Sequence, residues 1–114
     1  MEITLKSEQI FIANKSVDFR KSIDGLCALV TEMQNDPGIG VYIFYNKTRN
    51  KIKILSWHRN GFALLYKKLD SGKFFMHVEN DAVKINSEQL NWLLIGVDWK
   101  LLSGGEECKN KAYF

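Results

Sequence analysis

Apolar residues recur at Phe19, Ile23, Leu26, Val30 and Met33. Steps of four, three, four and three trace one stripe of a helix, and Cys27 and Leu29 widen it. Asp18 stands just ahead of the stripe and predicts the N-cap of a helix starting at Phe19. The helix is expected to stop before Asp36-Pro37-Gly38, because proline disfavours helical backbone at the residue before it. Gly25 falls inside this helix and costs about 1 kcal/mol relative to Ala; close approach of a strand backbone or of a partner would explain it.

The rest of the chain switches to shorter periods. Ile10 to Ala13 is a β-type run, followed by a turn at Asn14-Lys15-Ser16. Val41 to Tyr45 is aromatic and β-branched, as a well-buried strand requires. Asn46 to Asn50 is a polar turn. Lys51 to Trp57 alternates, with Ile52 and Ile54 on one face and Lys51, Lys53, Leu55 and Trp57 on the other. Asn60-Gly61 predicts a type I′ hairpin turn into a strand from Phe62 to Leu69. Asp70-Ser71-Gly72 leads into a fourth strand from Lys73 to Val78. Short turns force sequential antiparallel pairing. Ser87 predicts the N-cap of a second helix, with Glu88 in its first turn and Leu90, Leu93 and Leu94 on its buried face. Gly96 fits the C′ position, with Val97 folding back. The expected fold is α+β: an antiparallel β-meander of four to five strands with two helices packed on one face. Residues 1–99 form one domain in this reading, and the polar residues 100–114 a flexible tail.

Composition agrees with this. The 114 residues are 46% apolar and 25% charged, which suits one folded domain and argues against disorder. The apolar runs are too short for a membrane-spanning helix, and Met1 to Lys6 lacks the features of a signal peptide. A cytoplasmic protein is expected. Cys27 and Cys108 have no metal-ligand or disulfide-framework spacing; Cys27 reads as a small apolar residue on the helix face.

Charge changes the picture more. From Lys47 to Lys73 there are eight basic residues and only Asp70 against them, a net +7, leaving −4 for the remainder. Such a segment attracts a polyanion, although lysines on a sheet edge also block aggregation. The basic residues interleave with Trp57, Phe62, Tyr66 and Phe75, so cations could neutralise phosphates while exposed rings stack on bases or sugars, although Trp57, Phe62 and Tyr66 read more readily as core residues than as a platform. Arg20 and Lys21 add positive charge at a helix start, opposing its dipole by roughly 0.3–1 kcal/mol each, and with Ser22 would suit a phosphate oxygen; the plainer alternative is an Arg20–Asp24 pair. The candidate nucleic-acid-binding residues are Arg20, Lys21, Lys47, Arg49, Lys51, Lys53, Arg59, Lys67, Lys68 and Lys73.

Catalytic chemistry finds no support in the spacing. His58 and His77 form no metal-binding pattern, and the acids are dispersed rather than clustered. There is no phosphate loop and no dinucleotide fingerprint. Neither a catalytic residue, a cofactor, a metal nor a small-molecule substrate is expected.

Asp18-Phe19-Arg20-Lys21-Ser22-Ile23-Asp24-Gly25-Leu26 resembles a D-[FM]-R-K-[SG]-[IF]-D-G-L motif. Asp36-Pro37, Tyr42-Ile43-Phe44, Lys51-Ile52-Lys53-Ile54-Leu55-Ser56-Trp57, Gly61-Phe62, Leu65-Tyr66-Lys67-Lys68-Leu69, Gln89-Leu90 and Leu94-Ile95-Gly96-Val97-Asp98-Trp99 continue the match in order. These residues resemble the small TnpB (Orf2-like) proteins of IS-sixty-six-type bacterial insertion sequences, over roughly residues 8 to 99. The resemblance implies a non-catalytic accessory of DNA transposition, acting beside a separate, larger transposase. In that family the loop near residues 46 to 51 is usually arginine-rich. Here lysine keeps the charge and loses the bidentate fork, which favours phosphate attraction over base reading. The family often has an acid after the tryptophan, where this chain has His58-Arg59. DNA and the cognate transposase are the expected partners. The alternative is a protein–protein adaptor that docks the transposase without touching DNA, based on the acidic remainder and on Trp92, which lies off the main stripe of its helix.

Overall fold

A computed structural model of the protein describes residues 9–76 and 82–98. In chain order the elements are β1 (Ile10–Ile12), α1 (Ile23–Glu32), β2 (Val41–Tyr45), β3 (Lys51–His58), β4 (Gly61–Lys68), β5 (Val83–Ile85) and α2 (Ser87–Ile95). The predicted tail at 100–114 lies outside the described residues.

The five strands form one sheet in the order β4-β3-β2-β1-β5. The fold is α+β as expected, but the sheet is mixed rather than a pure antiparallel meander. β1 pairs parallel to β2, Ile10 opposite Val41 and Ile12 opposite Ile43. Parallel neighbours need a crossover connection, and the chain from Ala13 to Gly40 supplies one that carries α1. The predicted fourth strand is also corrected. Lys73 to Met76 joins no ladder, and His77 and Val78 lie outside the described residues. The fifth strand is instead β5, which pairs antiparallel with β1.

The β3–β4 hairpin has the predicted alternation but a different turn. Its closing pair is His58 and Gly61, so the loop is Arg59-Asn60. Arg59 has φ +58°, and the Asn60 N–H donates to the His58 carbonyl at 2.6 Å, the hydrogen bond of a γ-turn. Gly61 is the first residue of β4, so the left-handed backbone that Asn60-Gly61 predicts falls on Arg59.

α1 begins four residues later than predicted. The Asp18 carboxylate accepts from the Arg20 N–H at 2.9 Å and from its guanidinium at 2.6–3.1 Å. Asp18 thus closes a local turn, and Ser22 takes the N-cap position without a side-chain bond to the helix. Gly25 falls in the first turn, where a Cβ would lie 3.3 Å from Cβ and Cγ of Lys21. The close neighbour within the chain is this lysine's stem rather than a strand backbone. α2 is capped by Asn86, not Ser87, in a reciprocal capping box with Gln89. Its end follows the prediction: Gly96 has φ +88°, and Gly96 and Val97 donate back to Leu93 and Trp92, a Schellman motif.

All five residues of β2 are buried, so both faces of the sheet are covered at this strand. Leu26 and Val30 of α1 and Leu90 and Leu93 of α2 join Ile12, Ile43, Phe44, Ile52, Ile54 and Leu55 in the core. Lys53 bonds the approach to α1, and Lys67 bonds the end of α2. Lys53 pairs across the ladder with Tyr66, the neighbour of Lys67. Adjacent strand residues point to opposite faces, so the two anchors lie on opposite faces, where the sequence predicts a shared one.

Candidate nucleic-acid interface

The turn between β2 and β3 is cross-braced by Asn46. Its side-chain oxygen accepts from the N–H groups of Asn50 and Lys51 at 3.1 and 3.0 Å, and its amide donates to Thr48 and Asn50. Arg49 then takes φ +60°. Its carbonyl accepts from the Phe74 N–H at 2.7 Å, and Nη1 donates to the Met76 carbonyl at 3.3 Å. The Leu69 N–H bonds Asn50. Through these contacts residues 69 to 76 return against the β2–β3 turn. Lys47, Arg49 and Lys73 thereby line one cleft of about 450 Å³, with Thr48 and Phe75.

Beside this cleft lies the last rung of the hairpin. Lys51 is directly opposite Lys68, and both ammonium stems leave the same face. Like charges opposed across a ladder are destabilising. Among the described residues neither lysine meets a carboxylate.

Two residue pairs further in, about 7 Å along the strand, Lys53 does something different. It is 7% exposed. Nζ donates to the carbonyls of Phe19 and Lys21, both at 2.8 Å. It lies 4.9 Å from the Phe19 ring centroid and 5.7 Å from that of Tyr66. These two rings meet edge to face at 5.9 Å. Lys53 is therefore an internal strut that holds the Asp18–Lys21 turn down on the sheet. Its ammonium is engaged and faces inward, which removes it from the residues able to meet a phosphate directly.

The turn held by the strut carries Arg20 and Lys21. Arg20 pairs with Asp18 at 2.6 Å and remains almost wholly exposed; it does not pair with Asp24. Its hydrogen bonds hold the Asp18 carboxyl down at about 2, against an ordinary 3.8, and raise the guanidinium's own pKa.

Two predicted residues lie elsewhere. Lys67 Nζ donates to the Leu94 carbonyl at 2.6 Å, favourable for a cation at a helix C-terminus, and so serves the opposite face. Arg59 sits at the other end of the hairpin, about 25 Å from Lys51 by strand rise. The structure thus gathers Lys47, Arg49 and Lys73 in one cleft and pairs Lys51 with Lys68 at the adjoining end of the hairpin, while Arg20 and Lys21 belong to the turn that Lys53 bonds. It leaves Lys67 and Arg59 apart.

Among the described residues no group of three His, Cys, Asp or Glu side chains could hold a metal ion, and no helix is long and apolar enough to cross a membrane. Cys27 is partly buried, and burial with the nearby Asp24 charge raises its thiol pKa. A larger hollow of about 620 Å³ lies between α1 and β1, lined by Phe11, Leu29, Met33 and Phe44 among others. Of the ten predicted cations, none borders it.

Comparison with known proteins gives the context. The family described as IS66 Orf2 like protein matches residues 8–103. Two relatives come from Sinorhizobium fredii (strain NBRC 101917 / NGR234). Uncharacterized protein y4jC is 35% identical over 94 residues, covering 80% of each chain. Uncharacterized protein y4hO is 30% identical over 95 residues, covering 81% of this chain and 83% of its own. No solved structure matches. On the extent of the family match, the chain belongs to the IS66 Orf2-like family of insertion-sequence proteins.

Proposed function

We propose that this insertion-sequence accessory protein binds DNA through the basic end of its sheet. One observation supports the reading: Lys47 and Arg49 of the β2–β3 turn share a cleft with Lys73 of the loop after β4, the Lys51–Lys68 pair closes the adjoining end of the hairpin, and Asp70 is the single acid between residues 47 and 73. Association of the chain with insertion sequences makes DNA the natural polyanion. Lysines dominate the group, so the binding is backbone attraction with little base reading.

Fluorescence anisotropy with duplex DNA at several salt concentrations tests this. Contact with four or five phosphates gives a log–log salt slope of about −4. Lys51→Glu together with Lys68→Glu lowers the affinity and flattens the slope by about 2. Arg59→Glu, at the far end, leaves the slope nearly unchanged. Millimolar, salt-insensitive binding of the wild type refutes the proposal.

A protein–protein adaptor is the second reading. Exposed Leu65 and Ile95 favour it, since Leu65 shares the face on which Lys67 reaches the end of α2. Retention of the cognate transposase in a pull-down by the Lys51→Glu/Lys68→Glu protein, with no DNA bound by the wild type, would favour the adaptor.

A further inference from the structure

The segment Lys73-Phe74-Phe75-Met76 is tied down at two points, by the Phe74 N–H on the Arg49 carbonyl and by the Arg49 guanidinium on the Met76 carbonyl. Phe74 and Met76 are 2% and 6% exposed, and Phe75 between them is 45% exposed. Phe75 is thus turned outward by a braced backbone on which its two neighbours serve as anchors. Its ring lines the same cleft as Lys47, Thr48, Arg49 and Lys73.

An outward ring alone is ordinary on a protein surface. This one is set among cations. An apolar partner covering it would strip water from Lys47 and Lys73, which is costly. A flat, weakly polar group that carries its own negative charge meets both demands, and a nucleobase with flanking phosphates is such a group. In a duplex the base faces are occupied by their neighbours, so only an unpaired base offers one.

The geometry points to a stacking site for an unpaired nucleobase on Phe75, with the adjacent phosphates held by Lys47 and Lys73, so that the basic end prefers single-stranded to duplex DNA. This rests on the DNA-binding reading and goes beyond it by assigning the strand form and the residue that selects it. Base–aromatic stacking is tolerant of sequence, so no strong base preference accompanies it.

Three labelled probes of about 12 nucleotides test it against the full chain by anisotropy at one fixed salt concentration: an oligothymidine strand, the same strand annealed to its complement, and an abasic strand with the same number of phosphates. The wild type binds the thymidine strand more tightly than the abasic strand. Phe75→Ala weakens the thymidine complex by about 5- to 100-fold and leaves the duplex and abasic complexes unchanged. Those two unchanged affinities also report that the variant is folded. Phe75→Tyr keeps the preference. Lys47→Glu with Lys73→Glu weakens all three probes.

Equal binding of thymidine and abasic strands overturns the stacking site, as does a Phe75→Ala protein whose thymidine affinity is unaltered or falls in step with the duplex. In those cases a steep salt slope on duplex DNA still upholds the broader reading. If none of the probes binds at low salt, both fail together.

Discussion

Two rungs of one hairpin put lysine to opposite uses. Lys51 and Lys68 stand opposite each other across the ladder, and among the described residues neither meets a carboxylate. At Lys53, two residue pairs inward, the same side chain is buried, bonds two carbonyls and lies against two rings. The difference is the covering chain. The Asp18–Lys21 turn crosses over Lys53 and presents carbonyls to it, so Lys53 exchanges water for fixed acceptors. Lys51 lies beyond that cover. A basic sequence pattern is therefore a mixture of struts and free charges, and backbone carbonyls decide which is which.

Breaking the strut gives the largest effect. Lys53→Ala abolishes two charge-assisted hydrogen bonds and leaves two carbonyls without their donor, a loss of about 2–4 kcal/mol. Urea unfolding measures it. Lys53→Met retains most of the stem and should lose less, because the rings keep an apolar neighbour. If both variants unfold at the wild-type midpoint, the strut is wrong.

The second strut is weaker. Lys67 is only half buried and makes one bond, to Leu94 at the end of α2. Lys67→Ala should lower stability by about 1 kcal/mol. Hydrogen exchange at the last turn of α2 locates the loss.

At the outer rung the sign reverses. Lys51→Glu turns a like-charge pair with Lys68 into an attractive one, a gain of roughly 0.2–1 kcal/mol, while DNA affinity falls. One substitution that raises the melting temperature and weakens binding distinguishes a free cation from a strut; Lys53→Glu, two residues along the same face, should destabilise strongly.

The smallest effect is in acid. The Asp18 carboxyl is held at about 2 by Arg20, below its ordinary 3.8. A depressed carboxyl contributes stability that is complete above its unfolded pKa and disappears as pH falls through the folded one. The Asp18–Arg20 turn should loosen between about pH 4 and pH 2. The Arg20 amide resonance reports it, and Asp18→Asn should remove that titration.

Much of this was legible beforehand. Alternation placed Ile52 and Ile54 opposite Lys51 and Lys53, and Gly96 marked the end of α2, because both rest on local geometry. The parallel β1–β2 pairing was not, since it depends on the partner that a distant strand finds. β5 has only Val83-Lys84-Ile85 to announce it. Asn86 could have been found: an Asn with Gln three residues later is a capping-box signature, which Ser87 obscured. Asp18 looked like a cap because its carboxylate prefers a nearby N–H; the one it took belongs to Arg20. Of the candidate site, the meeting of Lys47 and Arg49 with Lys73 follows from short connections. The fates of Lys53 and Lys67 do not, because their acceptors are carbonyls 27 to 34 residues away.

The sheet order has a consequence for assembly. β1 lies between β2 and β5, so its far neighbour comes from residues that leave the ribosome about seventy positions later. β3 and β4 need only each other and a two-residue loop. A growing chain can complete the hairpin, with its rung of paired ammonium groups, while β1 still has an open edge awaiting Val83 to Ile85.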